Sequence, residues 1–187
     1  MGLLKKLFGR QDAVVTDARR IYVGLMAQSR SPAFYGKFRF GDSYDGRIDV
    51  LTLHIAAVLS NLKKFGQNGE RLGQALFDEM KDDFEVALRE EALSDAGVKK
   101  RIQPMISLFY DRVKKYAEAL NQENSKESLQ RAFTETLRGY TDDAPKAEID
   151  SHADAVSSYL LSFDANLSQL SLGQIALTDF EYPDIPS

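Results

Sequence analysis

Between Asp45 and Phe65 the chain carries apolar residues on almost every side that a helix presents. Ile48, Leu51, Ile55, Val58, Leu59 and Leu62 recur at intervals of three and four, the spacing that lines one face of a 3.6-residue period. Val50, Leu53, Ala56 and Ala57 fill much of the opposite face. A helix that is apolar nearly all round has no side to give to water, so it must sit in the middle of other elements. That requirement predicts an all-α, single multi-helix bundle. Gly66, Asn68 and Gly69 are expected to stop this central helix, since glycine tolerates the left-handed geometry after a helix end.

The remaining segments supply the surrounding helices. Leu72, Leu76, Met80, Phe84 and Leu88, spaced by four, predict a helix from about Glu70 to Leu93, with Phe77 and Ala87 beside the stripe. Ile102, Met105, Ile106, Phe109, Val113, Tyr116 and Leu120 predict another from Val98 to Asn121. Pro104 lacks an N–H and clashes with the preceding turn, so a kink, or a restart with Pro104 in the first turn, is expected there. Asn124 and Glu127 have the spacing of a capping box before Leu129, Ala132, Phe133 and Leu137. Ile149, Ala153, Val156, Leu160, Phe163 and Leu167 define a helix from about Pro145 to Leu170. Near the start, Thr16 or Asp17 is expected to cap a helix carrying Ile21, Leu25 and Gln28 that ends before Pro32. Residues 33–40 mix aromatics with glycine and read as a short aromatic loop or a small strand segment. The organisation expected is an amphipathic segment at 1–10, a helical domain at 11–170 and a C-terminal tail at 171–187.

Charge is distributed unevenly. Residues 1–140 hold 23 Lys/Arg against 19 Asp/Glu, whereas 141–187 hold the single base Lys146 against nine acids. The acidic part is therefore expected either to lie across the basic part or to form a solvated appendage. The total of −4 lacks the concentrated basic excess of a dedicated DNA binder. There is no cysteine, which removes disulfides, cysteine-ligated zinc and iron–sulfur clusters together. No run approaches a spanning helix and no secretory h-region is present, so a cytoplasmic protein is the expectation.

Little points to chemistry. His54 lies in the most apolar helix and His152 in a later one, with no metal-pair spacing around either, so a hydrogen-bonded core histidine is expected. Asp78, Glu79, Asp82 and Asp83 lie among Lys81 and Arg89 without the E-x-x-H pattern of di-iron bundles, and read as a solvated face. No P-loop, dinucleotide fingerprint or nucleophile elbow occurs. The residues call for no catalytic group, no metal and no cofactor. Two local patterns suggest contacts instead. In the first ten residues Leu3, Leu4, Leu7 and Phe8 share a helical face with Lys5 and Lys6 beside it, the pattern either of a weak interfacial membrane contact or of a terminus that is merely mobile or docked on a crystal neighbour. Lys99, Lys100 and Arg101, with Arg112, Lys114 and Lys115 further along, read either as a solvated helix face or as a phosphate-facing stripe suited to RNA or the ribosome.

A family resemblance follows from an ordered set of short motifs. Ile21-Tyr22, Gln28-Ser29-Arg30-Ser31-Pro32-Ala33-Phe34-Tyr35, Asp45-Gly46-Arg47-Ile48-Asp49-Val50-Leu51 and Leu53-His54 are similar to the ubiquinol–cytochrome c chaperone family. Ala75-Leu76-Phe77-Asp78, Leu88-Arg89-Glu90, Asp95-Ala96-Gly97-Val98 and Phe109-Tyr110-Asp111-Arg112-Val113 continue it in order, so that it covers roughly residues 1–140. The resemblance implies a non-enzymatic assembly factor of the ubiquinol–cytochrome c reductase complex. Its implied client is the cytochrome b subunit, its implied setting the cytoplasmic face of a bacterial inner membrane, with the ribosome as a further partner. Such a chaperone needs apolar surface rimmed by charge. Phe34, Tyr35, Phe38 and Phe40, in a loop that packing does not demand, are the candidates for it, with Arg47 and Asp95 in structural pairs or caps.

Overall fold

The computed structural model describes residues 2–90, 94–140 and 144–184, and of residues 2–12 only the helical backbone is described. The order is α1 (Gly2–Ser29), α2 (Tyr44–Leu62), α3 (Gly66–Glu90), α4 (Asp95–Leu120), α5 (Ser125–Arg138), α6 (Lys146–Ser168) and the short α7 (Leu172–Ala176). The fold is an all-α bundle. The aromatic loop at 33–40 holds a 3-10 turn at Pro32–Phe34 and one isolated bridge between Tyr35 and Phe40.

α2 takes the central place that its all-round apolarity requires, packing against α1, α3, α4 and α6. Val50, Leu51, Leu53, Ile55, Val58 and Leu62 are essentially inaccessible to water. At roughly 1.5–3 kcal/mol for each fully buried side chain, these six contribute on the order of 10 kcal/mol before ordering entropy is subtracted. Ser43 caps the helix by accepting from the Gly46 N–H at 3.2 Å. Gly46 is needed for a second reason: a Cβ there would lie 1.9 Å from the Gly41 carbonyl oxygen. Gly46→Ala is therefore expected to lower stability by about 3 kcal/mol, because backbone must move to admit the methyl. Urea unfolding measures it, and a loss below about 1 kcal/mol would show that the loop yields freely.

Several boundaries differ from those read off the periodicity. α1 does not start at Thr16 or Asp17. It runs from Gly2, and Asp17 pairs with Arg20 at 2.8 Å. No proline interrupts residues 2–16, and one glycine costs only about 1 kcal/mol in a helix. Gly66, with φ of 55°, follows the 3-10 turn Lys63–Phe65 and opens α3, four residues before the expected start. Pro104 neither restarts nor ends α4; it lies inside the helix on an exposed face, where water can serve the carbonyl it leaves unbonded. Asn124 makes no side-chain cap bond, so the expected box is absent. A reciprocal box forms instead at Ser171 and Gln174, at the start of α7.

The acidic part of the chain lies against the rest of the bundle. α6 packs on α5 and α2. Lys64 reaches the end of α6 and donates to the carbonyls of Leu167 (3.3 Å) and Ser168 (2.6 Å), a cation closing a helix C-terminus. Lys126 pairs with Asp154 at 3.0 Å, and Asn61 donates to Asp164 at 2.7 Å. Beyond α6, Ile175, Phe180 and Tyr182 pack on the core.

Candidate functional site

The aromatic segment is not the exposed patch that the sequence suggested. Phe34 and Phe40 are fully buried, because the loop folds back over α2 and α6 and two histidines receive its rings. Phe34 meets His54 edge-on at 5.5 Å and Tyr159 at 5.2 Å, while Phe40 meets His152 at 5.8 Å. Tyr35 is half-buried, and its hydroxyl donates to the Ser29 carbonyl. Phe38 is also half-buried; its φ of 64° is unusual for a bulky residue, and Lys37 lies over its ring at 4.8 Å. Of the four aromatics, Phe34 and Phe40 belong to the core.

Beneath that loop runs a short polar chain. His54 Nδ1 lies 2.7 Å from the Val50 carbonyl, which can only accept, so Nδ1 carries the proton. Nε2 then accepts from the Tyr159 hydroxyl at 2.7 Å, and the Tyr159 oxygen accepts from the Gln28 amide at 3.1 Å. Each member is satisfied, and burial pulls the imidazole down to about 4. His152 is likewise lowered to about 4, by burial and then by Arg39. It bonds the Phe34 carbonyl, and its Nε2 has no hydrogen-bond partner. Among the described residues no group of three His, Cys, Asp or Glu side chains is arranged to hold a metal ion. Of the α3 carboxylates, Asp83 accepts from the Tyr22 hydroxyl at 2.7 Å.

The basic stripe on α4 is divided. Arg112 turns inward to Asp49, Lys114 pairs with Glu118 at 3.9 Å, and Lys115 pairs with Glu135. Those three do not form a phosphate-facing row, since carboxylates one turn away or on neighbouring helices claim them. Lys99, Lys100 and Arg101 stay exposed near the start of α4. Lys100 and Arg101 line a cleft with Tyr44, Asp45, Leu88, Pro104 and Met105. A second cleft shares Tyr44 and has Arg30 and Arg47 beside apolar Met26, Ile48, Leu51 and Phe84. Tyr44, 39% exposed, stands between them. Arg47 holds Asp42 at 2.9 Å and Arg89 holds Asp95 at 2.9 Å, so the two residues expected in structural pairs each have one, though not with each other.

The two clefts together have an apolar floor, with Arg30, Arg47, Lys100 and Arg101 at their edges beside Asp45 and Asp83. Lys100 and Arg101 were legible as candidates; Tyr44 and Arg30 were not, because neither belongs to a periodic stripe or a charge run. Only the packing of α1, α2, α3 and α4 brings them together. Phe77 and Tyr110, tilted against each other at 4.7 Å, line a further groove among α2, α3 and α4, and half-exposed Tyr110 was also missed as a surface residue. The side chains of Leu3, Leu4, Lys5, Lys6, Leu7 and Phe8, expected to touch membrane, lie outside the described residues. No described helix is long and apolar enough to cross a membrane.

Comparison with known proteins agrees with the motifs. The family model for the ubiquinol–cytochrome C chaperone matches residues 36–182, well beyond residue 140, where the motif resemblance ended. The crystal structure of the Cbp3 homolog from Brucella abortus superposes with a TM-score of 0.78 at 30% identity, covering 98% of each chain. No curated protein matches the chain significantly. The chain therefore belongs to the ubiquinol–cytochrome c chaperone family.

Proposed function

We propose that this chain is a non-enzymatic assembly factor that holds cytochrome b, or a related subunit, while the ubiquinol–cytochrome c reductase complex is put together. The observation that carries the proposal is the family match over residues 36–182 on a fold shared along the whole chain with a Cbp3 homolog. The surface around Tyr44 supports it, since apolar clefts edged by Arg30, Arg47, Lys100 and Arg101 suit a client part apolar and part acidic. Work at the cytoplasmic face of the inner membrane, with residues 3–8 touching lipid and Lys99–Arg101 available to the ribosome, belongs to the same proposal.

Deletion of the gene followed by native electrophoresis of membranes tests it. The expected result is loss of assembled reductase, restored by the wild-type gene. A complementing gene carrying Tyr44→Asp with Lys100→Glu should restore much less, although its product accumulates normally. Intact reductase in the deletion strain would sink the assignment.

A further inference from the structure

A chaperone for an apolar client needs apolar surface, and the chain itself can cover such surface while no client is bound. One aromatic cluster is covered by the C-terminal residues of the described chain. Phe163 and His54 meet Phe180 and Tyr182 there: Tyr182 stacks on Phe163 at 5.1 Å and approaches His54 at 5.9 Å, and Phe180 meets Phe163 edge-on at 5.7 Å. Residues 178–182 alternate inward and outward like a strand, with Thr178, Phe180 and Tyr182 turned in and Asp179 and Glu181 exposed.

How this strap is fastened is uneven. Its root is firm: α7 is capped reciprocally by Ser171 and Gln174, Ile175 is fully buried, and Arg20 donates to the Ala176 carbonyl at 2.8 Å. The last backbone bond is Asp179 N–H to the Gln174 carbonyl at 2.9 Å. From Phe180 to Asp184 no hydrogen bond or ion pair to the bundle follows among the described residues, and ring contacts alone hold the strap down. Between root and strap stands Thr178 at φ 56°, a β-branched residue in the left-handed region. That conformation is strained, and it persists only while the surroundings impose it. A strained joint next to a segment fastened only by its rings is a place where a chain opens without unfolding.

We propose that the floor under residues 178–182 is a binding groove for an extended client segment with aromatic side chains two residues apart. The chain's own strap is its resident occupant and competitor. The chemistry of the occupant is written in the strap: Phe180 and Tyr182 inward, acids outward. The identification of the guest as a reductase subunit rests on the proposed function; the groove and its strap do not.

The test uses a fluorescein-labelled peptide of residues 177–187 and the full chain. Phe180→Ser with Tyr182→Ser releases the strap and leaves the floor intact. The labelled peptide is expected to bind this variant about ten-fold or more tighter than wild type, and a peptide with both aromatics replaced by serine should not bind. A released variant that keeps its helical circular dichroism and cooperative unfolding but takes no peptide would overturn the groove. Should that variant fail to fold, the absence of native cysteine allows a second approach. A Cβ at Gly24 would lie 4.0 Å from Thr178 Cγ2, so the side chains of Gly24→Cys and Thr178→Cys would touch and are expected to be joined by oxidation. Bis-ANS should bind the reduced form several-fold more than the oxidised form; equal binding overturns the strap. In cells, peptide binding without any dependence of reductase assembly on the gene would leave the groove and remove the client. Loss of reductase assembly on deletion of the gene, with a folded released variant that takes no peptide, would do the reverse.

Discussion

Arg112→Met is expected to lower unfolding free energy by about 3–5 kcal/mol, because it leaves a buried carboxylate without its cation. Asp49 lies in the central helix with no exposure at all. One of its oxygens accepts from the Tyr140 hydroxyl at 2.5 Å and the other lies against the Arg112 guanidinium. The pair ties α2 to α4, and Tyr140 adds the turn that follows α5. Without Arg112 the carboxylate keeps only a phenol as partner, and an uncompensated charge in a helix interior is far costlier than a lost surface pair. Asp49→Leu combined with Arg112→Met removes both charges and should recover most of the loss, to within about 2 kcal/mol of wild type. Urea denaturation of the three proteins decides the matter. A single-variant loss no greater than that of the double variant would show that water reaches the pair.

The second large effect is a sensitivity to acid. His54 titrates at about 4 in the folded chain, against 6.5 when unfolded, because burial opposes its charge. Between those values the unfolded chain binds more protons, so stability falls as pH drops from about 6.5 towards 4 and is fully present above 6.5. The shift corresponds to about 3 kcal/mol for His54 at the low end of that window. His152, also lowered to about 4, adds to the same slope. The structural consequence is specific, since protonated His54 could no longer accept from Tyr159 and the Tyr159–Gln28 contact would lose its anchor. His54→Gln should flatten the pH dependence of the urea midpoint between pH 6.5 and 4.5 relative to wild type. An unchanged slope in that variant would mean that carboxylates, and not this ring, set the acid limit.

The central helix, the five larger helices around it and the buried state of His54 were all legible before any coordinates, because apolar spacing reports which face must leave water. The terminal details were less so. Asn124 and Glu127 have capping-box spacing yet form no box, while Ser171 and Gln174 form one in a stretch read as tail. Local spacing permits a cap, but whether the chain enters the helix at the needed angle is set by what the preceding residues pack against. Pro104 shows the same limit from the other side: a residue that ends an isolated helix is carried inside α4 when its open carbonyl faces water.

The candidate surface was half readable. Lys100 and Arg101 stand out as a charge run, and Phe34 and Phe40 stand out as aromatics in a loop, but the first pair faces solvent and the second fills the core. Nothing in residue type separates these fates. Periodicity and composition by themselves determined the helical bundle and its central element, because these depend on interactions within a few turns of one helix. Which charges meet, such as Asp49 with Arg112 across 63 positions, and which rings are covered, such as Phe163 by Tyr182, was decided only by the tertiary structure. Burial is a property of neighbours brought from elsewhere in the chain, and those neighbours are not encoded in the spacing around any one residue.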